Sequence, residues 1–178
     1  MPSYVAFLRA VNVGGRFVKM AALRTELESA GFTDVETHIQ SGNVFVRSGR
    51  RSTGVVATEM ATVLGEWAGF DVPCVVRTPT QLRSALAAVD AVPPLIEGGK
   101  RYLAFADGDV PAAGAARLDA WDEPGERCLV LGSEILAEMT NGFQRTKLTN
   151  TRIERITGRT TTWRDLKVVR AINEKWGA

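Results

Sequence analysis

The chain opens on an apolar, β-prone run at 4–9 (YVAFLR), followed by the polar loop Asn12-Val13-Gly14-Gly15. The spacing then lengthens. Met20, Leu23, Leu27 and Ala30 recur at helical intervals, which predicts a helix over 19–30 stopped by Gly31. Two strands follow at 35–40 (VETHIQ) and 43–47 (NVFVR), parted only by Ser41-Gly42, a tight-hairpin signal. Val56, Met60, Val63, Leu64 and Trp67 predict a helix over 53–67 that ends at Gly69, and 72–77 (VPCVVR) reads as a fourth strand. A helix over 79–90 comes next, capped by Thr78 or Thr80 with Leu82, Leu86 and Val89 on one face. Pro93 to Gly99 is the candidate linker.

The order then repeats. A strand at 101–106 (RYLAFA), a short Ala-rich helix near 111–120 and strands at 127–131 and 134–139, turned by Gly132-Ser133, are followed by a helix near 147–157 ended by Gly158. A short strand at 160–163 and a terminal helix over 164–176, with Leu166, Val169, Ile172 and Trp176 inward, complete it. The expected fold class is α+β: two tandem ferredoxin-like (βαββαβ) halves with antiparallel sheets. Residues 1–78 form the first half, 79–99 the linking helix and loop, and 100–178 the second half with its terminal helix.

This topology has one consequence for function. With a right-handed crossover the first two strands run parallel with the third between them, so the loop at 10–18 and the hairpin at 40–43 emerge at the same end of the sheet. Two Gly-containing polar segments then share one rim.

Composition adds exclusions. With 45% hydrophobic and 24% charged residues the chain is ordinary for a globular protein, and no apolar run is long enough to span a bilayer. The N-terminus reads as a strand rather than a signal peptide. Cys74 and Cys128 lie far apart in strand-like runs, consistent with buried, reduced thiols and a cytoplasmic protein without membrane partners. A net charge of +2 gives no general grip on nucleic acid, but its distribution is uneven. Residues 79–138 carry five basic and ten acidic side chains, whereas 139–170 carry eight basic and two acidic. The basic stretch either faces the acidic one or forms an anion-docking patch built on Arg145, Lys147, Arg152, Trp163 and Arg164. In the second case Trp163 would stack a base, and single-stranded nucleic acid would be the partner.

The motifs of nucleotide and nucleophile chemistry fail in turn. Gly98-Gly99-Lys100-Arg101 lacks the rest of a P-loop, Gly14-Gly15 has no third glycine at dinucleotide-fold spacing, and there is no Gly-x-Ser-x-Gly elbow. One histidine and two distant cysteines cannot assemble a His/Cys metal site. An all-carboxylate site stays open, but no acidic cluster has EF-hand or paired-ligand spacing, and the expectation is no metal and no cofactor. An enzymatic reading rests on His38 and Ser41 alone. The shared rim is the better lead. Gly14-Gly15 before a helix would offer backbone N–H groups to an anion, with charge from Arg9, Arg16 and Lys19 and neutral hydrogen-bonding groups from Asn12, Gln40, Ser41 and Asn43. The plainer alternative is a permissive Gly-Gly turn beside a hairpin asparagine.

These same residues carry a family resemblance. Arg9-Ala10-Val11-Asn12-Val13-Gly14-Gly15, then Lys19-Met20 and Leu23, Gly31-Phe32-Thr33-Asp34-Val35 and Ile39-Gln40-Ser41-Gly42-Asn43-Val44 resemble the bacterial domain-of-unknown-function family numbered 1697. The resemblance implies a pair of ferredoxin-like halves and supplies no reaction. The chain departs from the family pattern twice: His38 stands where tyrosine is frequent, and Thr161-Thr162-Trp163-Arg164 lacks the Arg-Asn pair of a Thr-x-Arg-Asn-Trp motif.

Overall fold

A computed structural model describes residues 1–178. The elements run β1 (Ser3–Leu8), α1 (Met20–Ser29), β2 (Thr33–His38), β3 (Asn43–Arg47), α2 (Thr53–Ala68), β4 (Cys74–Arg77), α3 (Pro79–Asp90) and β5 (Lys100–Ala106). There follow α4 (Ala112–Asp119), β6 (Glu126–Leu131), β7 (Glu134–Met139), a 3-10 turn (Phe143–Arg145), α5 (Asn150–Thr157), β8 (Thr161–Asp165) and α6 (Leu166–Trp176). The fold is mixed α+β, with six α-helices and two four-stranded antiparallel sheets ordered β2-β3-β1-β4 and β6-β7-β5-β8.

Two compact units result, Met1–Leu82 with Lys175–Ala178, and Arg83–Glu174. In the first, Tyr4, Ala6 and Leu8 alternate onto one sheet face, where the stripes Met20/Leu23/Leu27 of α1 and Val56/Met60/Leu64 of α2 cover them. Trp176 stacks on Phe45 at 5.8 Å between ring centroids, and its Nε1 donates to Glu36 at 3.2 Å. In the second unit, Tyr102, Ala104, Ile135 and Ala137 pack against Leu118 and Ile153.

Local chemistry explains the boundaries. Thr78 and Gln81 form a reciprocal capping box, the Gln81 amide donating to Thr78 Oγ1 (3.2 Å) and the Thr78 amide to Gln81 Oε1 (2.8 Å), so Thr78 and not Thr80 starts α3. Helix α5 begins at Asn150 rather than 147 because Thr149 is its cap, accepting from the Arg152 amide. The Pro93–Gly99 stretch is held by the buried Glu138 carboxylate, which accepts from the Leu95 (2.7 Å) and Ile96 (2.8 Å) amides and from Arg101 Nε (2.6 Å).

Two strand details differ from the sequence reading. Gly132-Ser133 is the expected two-residue turn, since Leu131 faces Glu134. The β2–β3 connection instead has four residues, Ile39 to Gly42, because His38 pairs with Asn43 and Ile39 leaves the strand at φ +51. Within β2 the ladder slips between Thr33 and Glu36, where Asp34 takes φ +50.

Candidate functional site

The loop after β1 and the β2–β3 connection meet at one end of the first sheet. The Leu8 amide donates to the Gly42 carbonyl at 2.8 Å, and Asn12 spans the gap: its Nδ2 donates to the Gln40 carbonyl (2.6 Å) and its Oδ1 accepts from the Val18 amide (2.8 Å). The shared rim deduced from topology is therefore present.

Its parts differ from the expected anion cradle. Gly14 and Gly15, at φ +57 and +83, form the tip of a small hairpin closed by the Asn12 amide on the Arg16 carbonyl (2.8 Å) and the Arg16 amide on the Val13 carbonyl (3.0 Å). Positive φ at both central positions suits the right-handed twist of such a ribbon. Arg16, Phe17, Val18 and Lys19 separate this tip from Met20, where α1 begins, so Gly14-Gly15 does not open the helix. Asn43 is fully buried and donates to the His38 carbonyl (3.1 Å) and Ser41 Oγ (3.0 Å); it clamps the turn. Gly42 is required by packing, because a Cβ there would lie 2.9 Å from Leu8 Cβ at φ +76. Arg9 follows β1 half-buried, with its amide on the Pro73 carbonyl (2.9 Å).

Beside these struts lies an open groove of about 640 Å³, lined by Asn12, Phe17, Val18, Lys19, Met20, Ala21, Arg24 and Gln40. Lys19 stands at the start of α1, where no side chain caps the first-turn amides. Arg24, one turn on, is steadied by donating to Thr37 Oγ1 at 2.7 Å. Phe17 is 81% exposed on the groove wall. The groove thus joins two cations and the positive end of a helix to an apolar ring and the amide of Gln40.

Sequence reasoning placed Asn12, Lys19 and Gln40 at this rim but missed Phe17 and Arg24. The signal for Phe17 was available: it falls outside the Met20/Leu23/Leu27 stripe and belongs to no strand, so no core claims it.

The other candidates separate. Trp163 is only 7% exposed, packed edge-on to Phe143 at 6.0 Å within the second unit's core, so it presents no stacking face. Arg164 is buried too, its Nη1 donating to Thr162 Oγ1 (2.9 Å) and the Trp163 carbonyl (2.7 Å); burial pulls its guanidinium down to about 10, which leaves it charged at neutral pH. Arg145 and Arg152 are exposed, Arg152 lying over the Trp121 ring, and Lys147 pairs with Glu123 at 2.6 Å. Of the basic segment, Arg145, Lys147 and Arg152 stay at the surface, Arg152 Nη1 donating to the Lys147 carbonyl at 3.5 Å, while Trp163 and Arg164 are withdrawn into the interior.

The ring of His38 meets Trp176 edge-on at 6.2 Å, and Ser41 Oγ accepts from Asn43. Both cysteines are buried and free, and burial pushes each thiol up to about 12, far from a reactive thiolate. No group of three or more His, Cys, Asp or Glu side chains is placed to hold a metal ion, and no helix is long and apolar enough to cross a membrane.

Among solved structures the chain is similar to the conserved bacterial protein SP0830 from Streptococcus pneumoniae, with a TM-score of 0.77 and 21% identity over 100% of this chain and 99% of that one; at this identity the likeness speaks for the fold. No curated protein matches it. A family model described as a protein of unknown function, DUF1697, matches residues 1–135, the part that contains the β1–α1 loop, the β2–β3 connection and the groove between them. The chain belongs to the DUF1697 family.

Proposed function

We propose that this protein is a binding module whose α1 groove holds a small anionic ligand, a phosphate-bearing or nucleotide-like group. The observation that carries the reading is the uncapped start of α1 opening into the groove between Lys19 and Arg24, with exposed Phe17 beside it. Free first-turn amides and the helix dipole favour negative charge, and the two side chains add to it. The volume lies within the range of about 300–1,000 Å³ usual for small-ligand sites. Asn12, Gly42 and Asn43 hold the groove's shape. On the same reading each unit is a ferredoxin-like plait, supported by the strand order with β3 between β2 and β1 and with β7 between β6 and β5. A cytoplasmic setting fits the two free, buried thiols.

Thermal unfolding with inorganic phosphate, pyrophosphate and nucleoside monophosphates at matched ionic strength tests the reading. A ligand at a hundred times its Kd adds about 2.7 kcal/mol of stability. The unfolding temperature should rise with at least one of these anions, and the rise should vanish in Lys19→Ala/Arg24→Ala but persist in Arg145→Ala/Lys147→Ala. No rise with any anion, or an equal rise in the groove variant, overturns it.

A further inference from the structure

Resting on the groove reading, we infer that the rim binds single-stranded nucleic acid, two or more nucleotides laid from the α1 groove across the loop tips at Val13, Phe17 and Ile39. These side chains are 58%, 81% and 50% exposed, and the Asn12–Gln40 hydrogen bond brings their two loops to one end of the sheet. No core accounts for them. Ile39 also stands against its own backbone: a β-branched residue at φ +51 is disfavoured where asparagine or glycine would sit easily. Ala10, at φ +60, adds a second strained residue to this rim. Such strain collects at binding sites.

Charge selects the occupant. The first 25 residues carry four basic side chains, Arg9, Arg16, Lys19 and Arg24, and the first acidic residue is Glu26. The adjoining α2–β4 connection contributes Asp71, exposed, and Phe70, over whose ring the Arg16 guanidinium sits at 5.3 Å. Apolar tips interleaved with cations match a ligand whose flat apolar faces alternate with anionic links, which describes unpaired bases on a phosphate backbone. An acidic peptide would leave the tips uncovered. A hydrocarbon surface has no polar edge for the Gln40 amide. A lone nucleotide would cover Phe17 in the groove and leave Val13 and Ile39, which do not line it.

Fluorescence anisotropy with labelled oligouridylates, from the mononucleotide to a hexamer, tests the inference on the full chain. Affinity should rise about tenfold from mononucleotide to trimer and then level, as expected for one further stacked base. For three phosphates the log affinity should fall with log salt at a slope of roughly −2. Val13→Ser/Ile39→Asn should lower hexamer affinity about tenfold and leave uridine monophosphate binding unchanged, while Ile39→Asn alone holds or raises the unfolding temperature, so misfolding cannot account for the loss. Equal affinity for monomer and hexamer, or no effect of the double variant, overturns the inference and leaves the groove reading standing. No binding of phosphate, nucleotide or oligomer overturns both. Binding of phosphatidylglycerol vesicles but not of oligomers, with the same dependence on Val13 and Ile39, overturns it in favour of an anionic bilayer.

Discussion

Asn12 holds Gln40 by a 2.6 Å hydrogen bond from its side-chain amide to the Gln40 carbonyl, and this bond ties the two loops of the rim together beyond the Leu8–Gly42 contact. The same amide group accepts from Val18 at 2.8 Å, and the residue sits at φ +56, where asparagine is among the few side chains at ease. Asn12→Ala loses both bonds and the backbone preference. We expect about 1–3 kcal/mol of lost stability, read by urea denaturation, together with weaker anion binding. Unchanged anion affinity would mean that the groove does not depend on the strut.

Gly42 and Gly14 make a paired test. Both have positive φ, but a Cβ at Gly42 meets Leu8 whereas one at Gly14 meets nothing within 4 Å. Gly14→Ala should cost only the conformational penalty of about 1–2 kcal/mol. Gly42→Ala adds overpacking of about 1–3 kcal/mol. Equal losses would contradict the close approach of the hairpin to β1.

In the second unit the buried Glu138 carboxylate holds Arg101 and two amides of the Pro93–Gly99 stretch. Removing one member of a buried pair leaves the other uncompensated, so Glu138→Ala should destabilise by about 3–5 kcal/mol. The double variant with Arg101→Ala should lose less than the sum of the two single losses. Limited proteolysis should then cut between Pro93 and Gly99 first.

Glu36 governs a pH dependence. Hydrogen bonds from Lys175 and then Trp176 hold its carboxyl below the usual range, with Lys175 Nζ at 2.8 Å. A depressed folded value contributes stability above the unfolded value of about 4.3, and that contribution is lost as pH falls through the folded value. The carboxylate is half exposed, so the effect is modest. Glu36→Gln should flatten the acid limb of the stability curve relative to wild type; parallel curves would remove Glu36 as its source.

What the chain announces in advance, and what it hides, follows from the kind of interaction involved. Stripes such as Val56/Met60/Leu64 and the Gly132-Ser133 turn are local patterns, and they produced the elements they imply. The length of the β2–β3 connection was hidden because it depends on Ile39 adopting a backbone conformation its side chain disfavours, imposed by the Asn43 clamp and the Leu8–Gly42 contact. Gly14-Gly15 was misplaced at the head of α1 because a glycine pair fits either a helix start or a twisted turn, and only the Asn12–Arg16 and Arg16–Val13 bonds decide. Trp163 illustrates the same limit: basic neighbours in sequence suggest exposure, while β8 turns the ring into the second unit's core, edge-on to Phe143. The groove itself depends on Phe17 and Arg24, whose meeting is tertiary.

The slip in β2 has a consequence for behaviour at high concentration. That strand is the outermost of its sheet, so its outward amides and carbonyls would otherwise template a neighbouring chain. Asp34, turned to φ +50 and drawn toward Arg47 at 3.4 Å, breaks the regular spacing a guest strand would need, and Glu36 adds a second charge along the same border. A guest strand would therefore meet a broken register and two carboxylates along β2, the features by which edge strands discourage pairing with another chain.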